Sequence, residues 1–116
     1  DEEKAARLAA IETANQAATR VPLAVLERSV EAMELAIRVA QRGMSASASD
    51  AGVAGACALA AAEGAALNVR INLPSLTDEA VAAEIREAQE RQLARARELV
   101  GEIRQAVDAA LAGDGA

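Results

Sequence analysis

The chain has 116 residues, a length that suits one domain, and 33 of them are alanine, while phenylalanine, tyrosine, tryptophan and histidine are absent. Its net charge of −6, without a basic stripe or stacking aromatics, argues against nucleic-acid binding. The most apolar run, residues 51–62, is mostly alanine and stops at Glu63, which reads as too short and too weakly apolar to span a membrane. Cys57 is the only cysteine, so no intrachain disulfide forms; with no signal peptide recognisable, this predicts a cytoplasmic protein. Valine, isoleucine, leucine and methionine together number only 27, so the core must be thin and the helices close.

The pattern predicts four helices. The first runs from about Asp1 to Thr19, with Asp1, Glu2 and Glu3 at the positive end of its dipole and Leu8, Ile11, Ala14 or Asn15, and Ala18 as a modest apolar stripe. Val21-Pro22 is expected to end it, because a residue before proline avoids the α region, and Pro22 then opens the second helix. There Leu23, Leu26, Val30, Met33, Ile37 and Ala40 recur in steps of three and four. Ala32, Leu35, Ala36 and Val39 add a second apolar side, and Gly43 is the stop.

After a loop over residues 44–49, Ser49 reads as an N-cap with Asp50 in the dipole-favoured first turn of a third helix reaching Arg70 or Asn72. Gly52, Gly55 and Gly64 lie inside it. Each costs about 1 kcal/mol relative to alanine, which predicts close approach by another backbone or a ligand. Leu73-Pro74-Ser75 breaks the chain. Thr77 is the expected cap of a fourth helix that runs to Ala110 or Leu111, with Leu76 stapled onto Val81 and an apolar stripe of Val81, Ile85, Ala88, Ala96, Val100, Ile103 and Val107. Residues 1–112 thus form the folded part and 113–116 a frayed tail. The fold class is an all-α, up-and-down antiparallel bundle of about four helices, completed by a dimer partner or by further N-terminal helices.

No histidine, metal-ligand cluster, phosphate loop or Ser–His pair is available, so chemistry must come from carboxylates, amides, arginine or backbone groups. Ser49-Asp50 reads either as helix capping or as a helix N-terminus beside a ligand. In Asn68-Val69-Arg70-Ile71-Asn72 the two asparagines share a face and are poor helix-interior residues, which fits a hydrogen-bonding site as well as a helix end. Glu63 reads as a solvated charge or an ion pair with an arginine, Cys57 as a small buried packing residue, and Glu87–Arg91 as an i,i+4 pair.

The stretch Ser49-Asp50-Ala51-Gly52-Val53-Ala54, followed by Glu63-Gly64-Ala65-Ala66-Leu67-Asn68-Val69-Arg70-Ile71-Asn72-Leu73, resembles the formiminotetrahydrofolate cyclodeaminase family and its methenyltetrahydrofolate cyclohydrolase relatives. So do residues 1–7 and 18–23. The resemblance implies a helical domain that forms a homodimer or higher homo-oligomer and takes a reduced folate. It implies conversion of formiminotetrahydrofolate to 5,10-methenyltetrahydrofolate with release of ammonia, or interconversion of methenyl- and 10-formyltetrahydrofolate with water. Neither a metal nor a redox cofactor is implied. Matching positions are Asp50 as the catalytic candidate, with Ser49, Gly52, Asn68, Arg70 and Asn72 as substrate-binding candidates. The family's Pro-Gly-Gly-Gly-like loop and D-x-x-A-F-like segment precede the part that matches Asp1, so this chain is expected to carry half of a site. The alternative is a non-catalytic helical module for dimerisation or partner docking.

Overall fold

The computed structural model describes residues 1–114 and contains three long helices. Helix α1 spans Glu2–Arg42, α2 spans Ala48–Asn72 and α3 spans Glu79–Asp114. Short 3-10 turns at Ser45–Ser47 and Leu73–Ser75 join them, so the helices run up, down and up. The molecule measures 75 × 18 × 17 Å. At 1.5 Å per residue α1 is about 61 Å long and α2 about 37 Å. The first turns of α1 therefore project past the end of α2, which leaves Leu8 and Ile11 about half exposed.

The expected break at Val21-Pro22 does not occur, and this is why three helices replace four. Pro22 lies inside α1. A proline there removes the N–H that would bond the carbonyl four residues back, here that of Ala18. Asn72 replaces the lost donor: its Nδ2 donates to the Ala18 oxygen at 3.2 Å, from the last turn of α2. Leu23 and Leu26, just beyond the proline, are buried in the core, and their packing holds the helix together across it.

The stripe of Leu23, Leu26, Val30, Met33, Ile37 and Ala40 is buried throughout. It meets Ala62, Ala65, Ala66 and Val69 of α2, and Ile85, Ala96, Leu99 and Ile103 of α3. The core is as thin as the composition required. Gly55 shows how close α2 and α3 come, since a Cβ there would stand 3.1 Å from two atoms of Ile103. A Cβ on Gly52 would touch Val107 at 3.5 Å, whereas one on Gly64 would meet nothing within 4 Å.

Caps differ from expectation at two places. Helix α2 begins one residue before Ser49, because the 3-10 turn delivers the chain directly into it and leaves Ser49 exposed inside the first turn. Asp78, not Thr77, caps α3: its Oδ1 accepts from the amides of Ala80 and Val81, both at 3.1 Å. Thr77 is engaged elsewhere, donating its amide and its hydroxyl to Glu12 Oε2, each at 2.8 Å. Gly43 does end α1, in an extended conformation. Helix α3 continues through Gly113 to Asp114, past the expected end at Ala110 or Leu111, and residues 115 and 116 of the expected tail lie outside the described residues.

Cys57 is exposed rather than buried, because it lies on the side of α2 that faces neither α1 nor α3. With Val53, Ala60, Gly64, Leu67 and Ile71 it forms a stripe of small and apolar side chains at helical spacing, accessible to solvent along the length of α2. By length and composition Ser45–Ser75 is apolar enough to cross a membrane. The 12-residue estimate fell short because the alanine-rich pattern resumes beyond Glu63. Of the two readings of Glu63, a solvated charge or an ion pair, the ion pair is present, with its Oε1 3.6 Å from Arg97 Nε on a half-exposed surface. Glu87 and Arg91 form no ion pair; across the outer faces, Arg95 instead gathers Glu34, Glu98 and Glu102 within 4 Å.

Candidate functional site

The candidate residues fall into two groups at opposite ends of α2. Ser49, Asp50 and Gly52 stand in its first turns; Asn68, Arg70 and Asn72 stand in its last. Asp50 and Asn68 share one face but are separated by five helical turns, about 27 Å. One chain therefore does not bring the two groups together.

At the N-terminal end, Asp50 lines a shallow groove of about 290 Å³ between α1 and α2. The other lining residues are Ala32, Leu35, Ala36, Val39, Ala51 and Ala54. Four of these, Ala32, Leu35, Ala36 and Val39, belong to the second apolar side read from the sequence, and Leu35 and Val39 remain exposed there at 60% and 43%. The wall itself is apolar, with Asp50 at its border, and offers a flat ligand a contact surface. Ser49 is exposed beside it and makes no cap bond. Gly52 faces α3 through Val107, where a Cβ would make only ordinary van der Waals contact, so the packing of α3 does not by itself require a glycine there.

At the other end, Asn72 is half-buried with its Nδ2 bonded to Ala18, which leaves its Oδ1 as the group open to a ligand. Asn68 is exposed. Arg70 is exposed and lines a second hollow of about 290 Å³ with Leu73, Pro74, Arg86, Gln89 and Glu90. Arg86 and Gln89 were not anticipated. Gln89 carries a signal that periodicity could have found: it lies four residues after Ile85, at core spacing, where an apolar residue is the rule.

Glu12 was also missed. Its carboxylate accepts from Gln16 at 2.9 Å, from Thr77 twice, and from the Asp78 amide at 3.2 Å. These bonds hold its pKa at about 2, against an ordinary 4.5; the Gln16 side chain contributes most, then the Thr77 amide and hydroxyl, against a smaller opposing desolvation. Glu12 fixes the loop before α3 and is remote from Asp50. Among the described residues, no group of three or more His, Cys, Asp or Glu side chains could hold a metal ion.

A family model described as Formiminotransferase-cyclodeaminase matches residues 1–91. The chain belongs to this family. A methenyltetrahydrofolate cyclohydrolase from Methylorubrum extorquens is 49% identical over 84 residues, which cover 72% of this chain and 40% of that protein. The chain thus spans about two fifths of the length of the curated relative it matches. Both groups of candidate residues lie within the part that the family model covers, as do Arg86 and Gln89. The last part of α3, from Gln92 onward, lies outside it.

Proposed function

We propose that the protein works in folate one-carbon metabolism, and that its reaction is the hydrolysis of 5,10-methenyltetrahydrofolate to 10-formyltetrahydrofolate. The likeness to a methenyltetrahydrofolate cyclohydrolase favours this over closure of formiminotetrahydrofolate with loss of ammonia. The observation that carries the reading is the position of Asp50, a lone carboxylate on the apolar groove between α1 and α2. Leu35, Val39 and Ala54 offer a surface for a flat pterin ring, and Asp50 borders the same space. In the hydrolysis, water adds to the methenyl carbon to give a tetrahedral centre, and the ring then opens by breaking the bond from that carbon to one nitrogen. A base must take a proton from the water and an acid must protonate the departing nitrogen. Asp50 is the candidate base. No cofactor is required.

The 27 Å between Asp50 and Asn68 makes a second subunit part of this reading. The exposed stripe of α2 is centred near Ala60 and Gly64. Two copies packed antiparallel along it would set Asp50 of one beside Asn68 and Asn72 of the other. Homodimerisation thus assembles what one chain separates. The charged outer faces of α1 and α3 favour protein over lipid as the cover for this stripe, and a cytoplasmic location follows from the substrate.

Titration with folinic acid tests the reading. Saturating ligand at a hundred times its Kd raises stability by about 2.7 kcal/mol. Asp50→Asn is expected to lower turnover of the intact enzyme by about 10²-fold or more while leaving the melting temperature nearly unchanged. Unchanged melting at all folinic acid concentrations would instead favour the partner-docking module. Full activity of Asp50→Asn would remove this residue from the chemistry.

A further inference from the structure

Helix α1 carries its core on one side of Pro22 only. Beyond the proline, Leu23, Leu26, Val30, Met33 and Ile37 are buried. Before it, none of residues 1–18 is buried. Among the described residues no ion pair joins residues 1–18 to α2 or α3; the first along the chain is that of Arg20 with Glu84. Side-chain hydrogen bonds hold the segment instead. Glu12 accepts from the amide and hydroxyl of Thr77, both at 2.8 Å, and from the Asp78 amide at 3.2 Å. Asn15 Nδ2 donates to the Ser75 oxygen, and Asn72 Nδ2 to the Ala18 oxygen, each at 3.2 Å. All of these bonds are exposed, and an exposed hydrogen bond exchanges readily with water. The covalent join to the core runs through Pro22, which has no N–H to bond the Ala18 carbonyl.

We infer that residues 2–18 form a latched arm, which leaves the bundle as one unit at Pro22 while the rest of the bundle stays folded. Apolar burial is the dominant favourable contribution to folding, and the arm has little of it. Once detached, so short a helix is marginal in water, and the proline keeps the core helix from propagating into it. The latching groups sit on one helix and meet partners of fixed geometry, so they hold the closed arm in one register and let go together rather than by sliding. Opening returns the Glu12 carboxylate, the Ala18 carbonyl and the Thr77 and Asp78 amides to water at the same time. Asp78 caps α3, so the arm is coupled to the turn from which that helix starts.

Native-state hydrogen exchange on the full chain, read by NMR at single amides, tests the arm. Amides of residues 6–18 should share one opening constant, at least about tenfold larger than that of residues 26–40, with a step at Pro22. The Thr77 and Asp78 amides, 65 and 66 positions from Glu12 in the sequence, should open with the same constant as the arm. Glu12→Ala and Asn15→Ala should each raise the opening constant of the arm about fivefold and leave residues 26–40 unchanged. Pro22→Ala should narrow the step, because the core helix can then extend into the arm. Exchange that rises smoothly toward Asp1 without a step at Pro22 is ordinary end fraying and would overturn the arm. Equal protection on both sides of Pro22 would do the same. So would Thr77 and Asp78 amides that do not follow residues 6–18, or variants that speed residues 26–40 as much as the arm.

Discussion

The two ends of α2 are held by different means. At its C-terminal end the fastening is directional. Asn72 bonds the Ala18 carbonyl, Asn15 bonds the Ser75 carbonyl at 3.2 Å, and Glu12 gathers Thr77 and Asp78. At its N-terminal end no side chain caps the helix, and the contacts are those of small residues: Ala48 and Ala51 are buried, and Gly52 and Gly55 rest against Val107 and Ile103. Hydrogen bonds with fixed geometry set register, whereas contacts between small apolar groups tolerate sliding and tilt. The rigid end is where the polar hollow sits. The adaptable end is where Asp50 borders an open groove.

The largest expected effect tests the rigid end. Pro22→Ala restores the N–H that the Ala18 carbonyl lacks and removes a helix-interior proline. It should stabilise the chain by about 1–3 kcal/mol, seen as a higher urea midpoint at constant slope. Asn72→Ala alone should cost about 1 kcal/mol. In the Pro22→Ala background that cost should shrink toward zero, since the backbone then satisfies Ala18 by itself. An equal cost in both backgrounds would mean that Asn72 does not compensate the proline, and the two ends of α2 would be less different than drawn here.

This pair also explains what was legible in the sequence. The rule that a residue before proline leaves the α region is local, and it was overridden with the help of Asn72, 54 positions from Ala18 in the sequence but at hydrogen-bond distance in the fold. Thr77 looked like a cap because its residue type fits one, but Asp78 fits as well, and only the position of Glu12 decides between them. The buried stripe of α1 was legible because large aliphatics alternate there with charges. The exposed face of α2 was not: small and apolar residues occupy all its sides, so periodicity carries no information about which side is covered, and Cys57 was placed inward. Asp50, Asn68 and Arg70 stood out by residue type, while the distance that divides them depends on the helix running straight between them.

A smaller effect at the same rigid end depends on pH. Glu12 has its pKa depressed to about 2, from 4.5. The folded state therefore binds this proton less tightly than the unfolded state, and the contribution to stability is full above about pH 4.5 and lost as pH falls toward 2. Urea midpoints measured down to pH 2 should decline through this window. Glu12→Gln should flatten that decline while leaving the groove at Asp50 intact. An identical pH profile in the variant would show that the clamp on Thr77 and Asp78 adds nothing to the fastening of this end.

The smallest change tests the middle of α2, between the two ends. A Cβ on Gly64 meets nothing within 4 Å in one chain, so Gly64→Ala removes a helix glycine without a clash. In the isolated chain it should add about 1 kcal/mol of stability. If two copies pack along Val53, Cys57, Ala60, Gly64, Leu67 and Ile71, the same methyl group enters an interface between closely approaching backbones. There it should weaken association, measured as a higher dimer dissociation constant in sedimentation equilibrium. Gly55→Ala is the internal comparison: its Cβ would press on Ile103 within one chain, so its effect on folding should not depend on protein concentration. Opposite signs for Gly64→Ala in monomer and assembly would explain why a glycine with no neighbour in its own chain occupies the centre of the exposed face. The same sign in both would place the contact between subunits elsewhere, and Asp50 would then need a different route to the groups at the far end of α2.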